Sequence, residues 1–181
     1  MQPGPDLLQL DDRCLASGRA LKDRSGAGMA KPNFRELDED ELKMFNYWRE
    51  EFSTFFADAD KHRFETVDGK LGLIQHILDS GEATLERPDL LQGLGVLFGD
   101  ALAMELNLEW AFVVDEMGEA PVLRRPGTSF NLGAFYAIEK RVSLEEVPID
   151  IFDLFNAFCA LSAPILRKRS LWARLFGPRL V

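Results

Sequence analysis

Apolar residues in the first half of the chain recur with the period of an α-helix. Within residues 40–58 they are spaced three or four positions apart and would share one helix face. These residues are Leu42, Phe45, Trp48, Phe52 and Phe55. A second stripe lies within residues 67–79, and Ser80 with Gly81 marks its end. The pattern predicts two amphipathic helices.

Residues 88–106 are apolar on nearly every side, which is typical of a helix buried at the centre of a domain. Pro88 suits the first turn of this helix, and Asn107 suits the left-handed position after its last turn. Its glycines resemble a dinucleotide-binding loop only in composition, because no strand precedes them. We predict instead that Gly95 and Gly99 allow other elements to pack closely on the helix.

The pattern then changes to strands separated by turn residues. Residues 109–114, 121–125 and 128–132 predict three strands. A hairpin loop that ends in Gly118 joins the first two strands, and Pro126 with Gly127 forms the turn before the third. The three strands would form an antiparallel meander.

Two helices are predicted after the meander. Residues 134–142 favour a short helix, with a strand as the alternative, and residues 150–169 favour a long one with Asp150 as its N-cap. Pro164 would kink or end the long helix. The order of elements predicts an α+β fold with N-terminal helices, a three-stranded antiparallel meander, and a C-terminal helix packed on the sheet.

Three regions follow from this pattern. Residues 1–33 are rich in Gly, Pro, Ser and Asp and predict a flexible leader, residues 34–166 a single α+β domain, and residues 167–181 a basic amphipathic tail. The tail could lie on an anionic membrane or in a partner's groove, pack on its own acidic body, fray, or join two copies. Its interacting residues would be Arg167, Lys168, Arg169, Leu171, Trp172, Arg174 and Phe176.

Charge is distributed unevenly along the chain. The net charge is −9, and no acidic residue follows Asp153, whereas five basic residues do. All 30 acidic side chains therefore lie in residues 1–153, together with 16 of the 21 basic ones. Such a body repels nucleic acid and favours a basic protein partner. Two unpaired cysteines and an N-terminus without a secretory signal lead us to expect a cytoplasmic protein.

One group of polar residues is a candidate binding site at one end of the meander. It would bind an anion or a partner's backbone, or its members would simply pair across the strands. The group consists of Trp110, Asp115, Glu116, Arg124, Arg125, Lys140 and Arg141.

Neither a metal site nor a cofactor site is predicted. His62 and His76 lie 14 positions apart, without a nearby cysteine, and no serine or cysteine has a neighbouring base. Asp100 and Glu105 interrupt an apolar helix, so each should be exposed or pair with Arg124, Arg125, Lys140 or Arg141.

Residues 91–166 also carry a recognisable order of short motifs. These are Leu94-Gly-Val-Leu-Phe-Gly-Asp100, Leu108-Glu-Trp110, Val114-Asp-Glu-x-Gly118, Pro126-Gly-Thr128 and Ile138-Glu-Lys-Arg141. The stretch resembles a bacterial "domain of unknown function" family of small uncharacterised cytoplasmic proteins. The resemblance implies the fold and a bacterial cytoplasmic origin, and it implies no activity.

The leading functional hypothesis is a non-enzymatic protein-binding or regulatory module with an acidic body, a toxin-neutralising protein being one form of it. One alternative is an enzyme with a carboxylate and arginine site. That site would use Asp100, Glu105, Asp115, Glu116, Arg124 and Arg125. A second alternative is peripheral membrane association through the basic tail. The sequence does not specify an oligomeric state.

Overall fold

A computed structural model describes residues 33–116, 118–144 and 148–176, and side chains as far as residue 166. Six helices are present in these ranges: α1 Glu39–Ser53, α2 Lys61–Phe64, α3 Val67–Asp79, α4 Pro88–Leu106, α5 Ala137–Ser143 and α6 Ile151–Phe176. Four strands accompany them: β1 Asn33–Arg35, β2 Glu109–Asp115, β3 Gly118–Arg124 and β4 Asn131–Leu132. The α+β class is confirmed. Residues 1–32 of the predicted leader and the tail side chains lie outside the described residues.

The described sheet has four strands rather than the three that the sequence predicts. Its order is β1-β2-β3-β4, and all neighbours are antiparallel. The additional strand, β1, has three residues, too few for an alternating pattern to reveal it. Asn33, placed in the leader by the sequence, is its first residue and pairs with Val114.

The last predicted strand, residues 128–132, is shortened to Asn131–Leu132. Thr128 accounts for the shorter strand because its hydroxyl forms local hydrogen bonds. Its hydroxyl donates to the Arg125 carbonyl at 2.8 Å and accepts from the Phe130 amide at 3.1 Å. These bonds form a side-chain-supported turn in place of a strand ladder.

Helix α4 lies at the centre of the fold, as predicted. It packs against α1, α3, α5 and α6, and eleven of its residues are buried. A Cβ atom on Gly95 would overlap the backbone carbonyl of Phe135, and one on Gly99 would overlap the ring of Trp110. The predicted close packing at both glycines is confirmed.

Side-chain caps fix where the two outer helices begin. Asp38 and Glu41 form a reciprocal capping box at the start of α1. Asp150 accepts from the amides of Phe152 and Asp153 at 2.9 and 3.0 Å and so caps α6 as predicted. Helix α6 packs mainly against α3 and α4 rather than on the sheet, and Pro164 lies inside it without ending it. Within the described residues no helix is long and apolar enough to span a membrane.

Candidate binding pocket beside Trp110

A surface pocket of about 280 Å³ lies where α1 meets the first residues of β2. Four of its lining residues are aliphatic or aromatic and are called the floor; the other three carry two carboxylates and one guanidinium and are called the rim. The lining residues are Glu36, Leu37, Leu42, Phe45, Arg49, Glu109 and Trp110. The lining therefore combines apolar and charged groups, the composition of a site for an amphipathic ligand.

Trp110 is held in the pocket wall from three directions. The absent side chain of Gly99 leaves room for its ring on the surface of α4. Its indole Nε1–H donates to the Asp100 carboxylate at 2.9 Å. Phe45, which is fully buried, meets the indole edge-on with ring centroids 4.9 Å apart. Three contacts from two helices, α4 and α1, thus fix the orientation of a single aromatic side chain.

Asp100 joins α4 to α1 through a bidentate ion pair with Arg49. The Arg49 Nε and Nη2 atoms donate to its two oxygens at 2.8 and 2.7 Å. The Arg49 Nη1 atom donates to Asn46 Oδ1 at 3.0 Å. The hydrogen bonds that Arg49 donates to the Asp100 carboxylate raise the pKa of Arg49 above its ordinary value. The charge of Arg49 is therefore neutralised within the protein, although the residue lines the pocket.

The sequence predicts an ion pair for Asp100, but the predicted partners Arg124, Arg125, Lys140 and Arg141 are wrong. Arg49 lies 51 positions earlier in the chain and reaches Asp100 only because α1 packs across α4. The position of Arg49 in the sequence of α1 does not indicate that contact. Glu105, the second acid on this helix, is exposed, in agreement with one of its two predicted states.

The two carboxylates on the rim differ in their surroundings. Glu36 is exposed, and its carboxylate forms no ion pair among the described residues. Glu109 is 47 % exposed, and its Oε1 atom accepts from the Nε and Nη2 atoms of Arg124 at 3.0 and 2.8 Å. Both bonds from Arg124 use the same oxygen. The rim consequently carries excess negative charge that faces solvent.

Arg35 fixes the strand and helix on which the rim stands. Its guanidinium donates to Glu41 on α1 and to Glu119 on β3, and it lies 4.2 Å from the ring centroid of Phe112. The hydrogen bonds to these carboxylates raise the pKa of Arg35, and Arg35 lowers the pKa of Glu41. Arg35 therefore ties β1, α1 and β3 together beside Glu36 and Leu37.

The seven-residue group predicted from the sequence is not gathered at one end of the meander. Arg124 is opposite Glu109 at one end of the β2–β3 ladder, and Asp115 is opposite Gly118 at the other. Because β2 has seven residues, about 20 Å of strand separates these ends. Only one member of the predicted group lines the pocket, Trp110. Arg124 touches the rim through Glu109, in the cross-strand pairing that the sequence offers as the simpler alternative.

Arg125 and the two basic residues of α5 occupy other positions. The Arg125 Nη1 atom donates to the Leu166 carbonyl at 3.3 Å, which connects the meander to α6. Lys140 and Arg141 lie in the last turn of α5. No group of three or more metal-binding side chains occurs among the described residues.

Lys70 is a buried charge that the sequence interpretation missed. It is 4 % exposed, its ammonium lies 4.0 Å from the ring centroid of Phe64, and it forms no ion pair among the described residues. Burial lowers its pKa from the ordinary lysine value, against a smaller opposing effect of Asp100. The sequence does indicate this burial, because Lys70 lies four positions before Ile74 and so shares the apolar face of α3.

Replacing Lys70 by methionine should stabilise the domain at pH 7 by about 1 kcal/mol, because an apolar chain of similar length avoids the desolvation of a charge. The lowered pKa also fixes a pH dependence. Below the folded-state pKa, Lys70 is charged in both states, and the burial of its ammonium destabilises the folded state by the full amount. As the pH rises from there towards the unfolded value near 10.5, the folded state loses its proton first and stability increases.

Urea unfolding of wild type and Lys70→Met between neutral pH and about pH 10.5 measures both effects. The two curves of stability against pH should converge as the pH rises. Parallel curves would show that burial does not lower the pKa of Lys70, and a variant that is less stable at every pH would show that the ammonium over Phe64 is a favourable contact instead.

Comparison with known proteins gives a match to one family model and a similarity in fold to one solved structure. Residues 70–155 match the model of a family described as a domain of unknown function (DUF3806), which confirms the predicted resemblance to a family of that kind. The match includes Asp100, Glu109 and Trp110, whereas the pocket residues from Glu36 to Arg49 precede it. A search of curated proteins finds no match.

A crystal structure from Bacteroides thetaiotaomicron VPI-5482 has a similar fold, with a TM-score of 0.53 and 18 % sequence identity. The similarity covers 75 % of this chain and 50 % of that one, so the present chain matches half the length of its structural relative. At this identity the similarity extends to the fold alone.

Proposed function

We propose that this chain, whose residues 70–155 match a family of unknown function, is a non-enzymatic protein-binding module. Its acidic body would bind a basic protein partner. A regulatory role, of which toxin neutralisation is one form, fits such a module, as does a cytoplasmic location. The supporting observation is the distribution of ion pairs over the described surface.

Of the eleven lysine and arginine side chains in the described residues 33–166, just over half are engaged in ion pairs within the domain. Six of them form ion pairs with carboxylates: Arg35, Lys43, Arg49, Lys61, Arg87 and Arg124. Exposed carboxylates without an ion pair among the described residues occur on α1 and in two connecting segments: Glu50 and Glu51 on α1, Glu36 before it and Glu86 before α4. The negative charge is therefore unbalanced at the surface, where it can attract a basic protein over several ångströms and accelerate its association.

The enzyme alternative has less support from the geometry. It requires a concave site that holds at least two of its carboxylates, and none of its six residues lines the pocket beside Trp110. Asp100 already accepts three hydrogen bonds, and Asp115 and Glu116 are at the hairpin end of the ladder. The membrane alternative depends on tail side chains outside the described residues, and it remains a second proposal.

Affinity capture followed by binding to a purified partner tests the proposal. The full chain is immobilised, basic proteins that it retains at about 50 mM NaCl are identified, and each is purified and titrated calorimetrically. Raising NaCl to about 300 mM should weaken the binding of a true partner by about tenfold or more. Affinity that is insensitive to salt would contradict the proposal.

A charge-neutralised variant provides the matched control. Glu50→Gln, Glu51→Gln and Glu86→Gln together remove three exposed charges that form no ion pair in the described structure. This variant should fold normally and bind the partner more slowly, with a weaker dependence on salt. Unchanged association kinetics would show that the acidic surface does not attract the partner.

A further inference from the structure

We infer that the pocket beside Trp110 receives a single arginine side chain of the basic partner. The inference rests on the proposed function and makes it specific, because it names the residue that the acidic body recognises. Three properties of the pocket support it: its size, its floor and the sign of its unneutralised charge.

The size of the pocket suits one long side chain. At about 280 Å³ it lies just below the range of about 300–1,000 Å³ that is typical of sites for drug-sized ligands. Its floor is formed by Leu37, Leu42, Phe45 and Trp110. Leu37, Leu42 and Trp110 are accessible and can cover the methylene groups of an arginine while its charged end remains at the rim, whereas Phe45 is fully buried.

The charge at the pocket favours a cation. Arg49 lines the pocket, but Asp100 neutralises it with two hydrogen bonds, and Asn46 accepts a third. The unbalanced groups are Glu36, without an ion pair among the described residues, and Glu109, whose contacts with Arg124 use one oxygen. An anionic ligand would meet two carboxylates without gaining a free cation.

The combination of aromatic floor and two rim carboxylates favours arginine over lysine. A guanidinium is planar, stacks on aromatic rings and offers five N–H donors in a fixed arrangement. It can therefore contact Trp110 with its face and donate to Glu36 and Glu109 with its edges. A lysine ammonium retains the charge but has neither the planar face nor the paired donors.

The test is an NMR titration with three small probes: N-acetylarginine methylamide, the lysine analogue and the uncharged citrulline analogue. The signal is the indole N–H of Trp110, assigned by comparison with Trp48→Phe and Trp172→Phe, since the chain has three tryptophans. We expect the arginine probe to shift this signal and to bind with an affinity several times higher than that of the lysine probe. The citrulline probe should produce no saturable shift.

Two pairs of substitutions distinguish the pocket from the net charge. Glu36→Gln with Glu109→Gln should weaken arginine binding at least about fivefold. Glu50→Gln with Glu51→Gln makes the same change in net charge outside the pocket and should leave affinity within about twofold. Glu36→Gln alone breaks no ion pair in the described structure, so it keeps the test valid if the double variant is unstable.

Equal losses in the two pairs, an equal affinity for citrulline, or an unmoved Trp110 signal would each overturn the inference. Salt-sensitive binding of a basic partner alongside any of these results would leave the proposed function standing. Loss of partner binding as well would remove both proposals.

Discussion

Gly95→Ala is expected to lower the free energy of unfolding by about 3 kcal/mol, or to prevent folding altogether. The added Cβ would overlap the backbone carbonyl oxygen of Phe135, in the segment between β4 and α5. A carbonyl in a packed backbone cannot rotate away as the end of a side chain can. Urea unfolding followed by circular dichroism measures the loss.

Gly72→Ala is the matched control for this substitution. Gly72 lies within α3, and a Cβ atom there would have nothing within 4 Å. Because alanine loses less backbone entropy in a helix, this variant should gain about 0.5–1 kcal/mol. If Gly95→Ala and Gly72→Ala behave alike, the close contact between α4 and the Phe135 segment is absent.

Asp100→Ala is expected to cost about 2–3 kcal/mol, because it leaves the Arg49 guanidinium and the Trp110 indole N–H without their shared acceptor. The value is below that for a fully buried pair, since Arg49 is 32 % exposed. Trp110 should also become more mobile, with a weaker near-ultraviolet circular dichroism signal. Chemical unfolding and near-ultraviolet spectra measure both consequences.

Two other substitutions isolate the role of the Asp100 carboxylate. Asp100→Asn keeps an acceptor for the Trp110 indole and loses the charge opposite Arg49. Its free energy of unfolding should therefore lie between those of wild type and Asp100→Ala. Asp58→Ala removes an exposed ion pair with Lys61, in which the Asp58 side chain is 95 % exposed, and it should leave the unfolding midpoint unchanged. A loss at Asp58 equal to that at Asp100 would mean that the contact between α1 and α4 has no special role.

The elements that the sequence predicts best are those whose signals are local. Helix α4 carries its own start, its own left-handed end at Asn107 and an apolar surface on nearly every side, and it is found at the predicted bounds. Asp150 caps α6 by bonds to amides only two and three positions away. Such features depend on neighbours in the chain and need no knowledge of tertiary packing.

The pocket could not be predicted in the same way because it combines distant segments. Glu36 and Arg49 come from the β1–α1 region, whereas Asp100 and Trp110 lie more than 50 positions later. The sequence did identify Asp100 as an acid in need of a partner, and Trp110 as a candidate site residue. It grouped Trp110 with Asp115 and Glu116 because strand spacing alone does not show which end of a ladder faces a helix.

The fold is connected to the proposed site where the Trp110 ring packs on Gly99, next to Asp100. Nuclear Overhauser spectroscopy of the full chain tests it directly. We expect strong cross-peaks between the α-protons of Gly99 and the six-membered ring of Trp110, together with an indole N–H that exchanges slowly with solvent. An indole without contacts to Gly99 and in rapid exchange with water would contradict both the central position of α4 and the pocket built upon it.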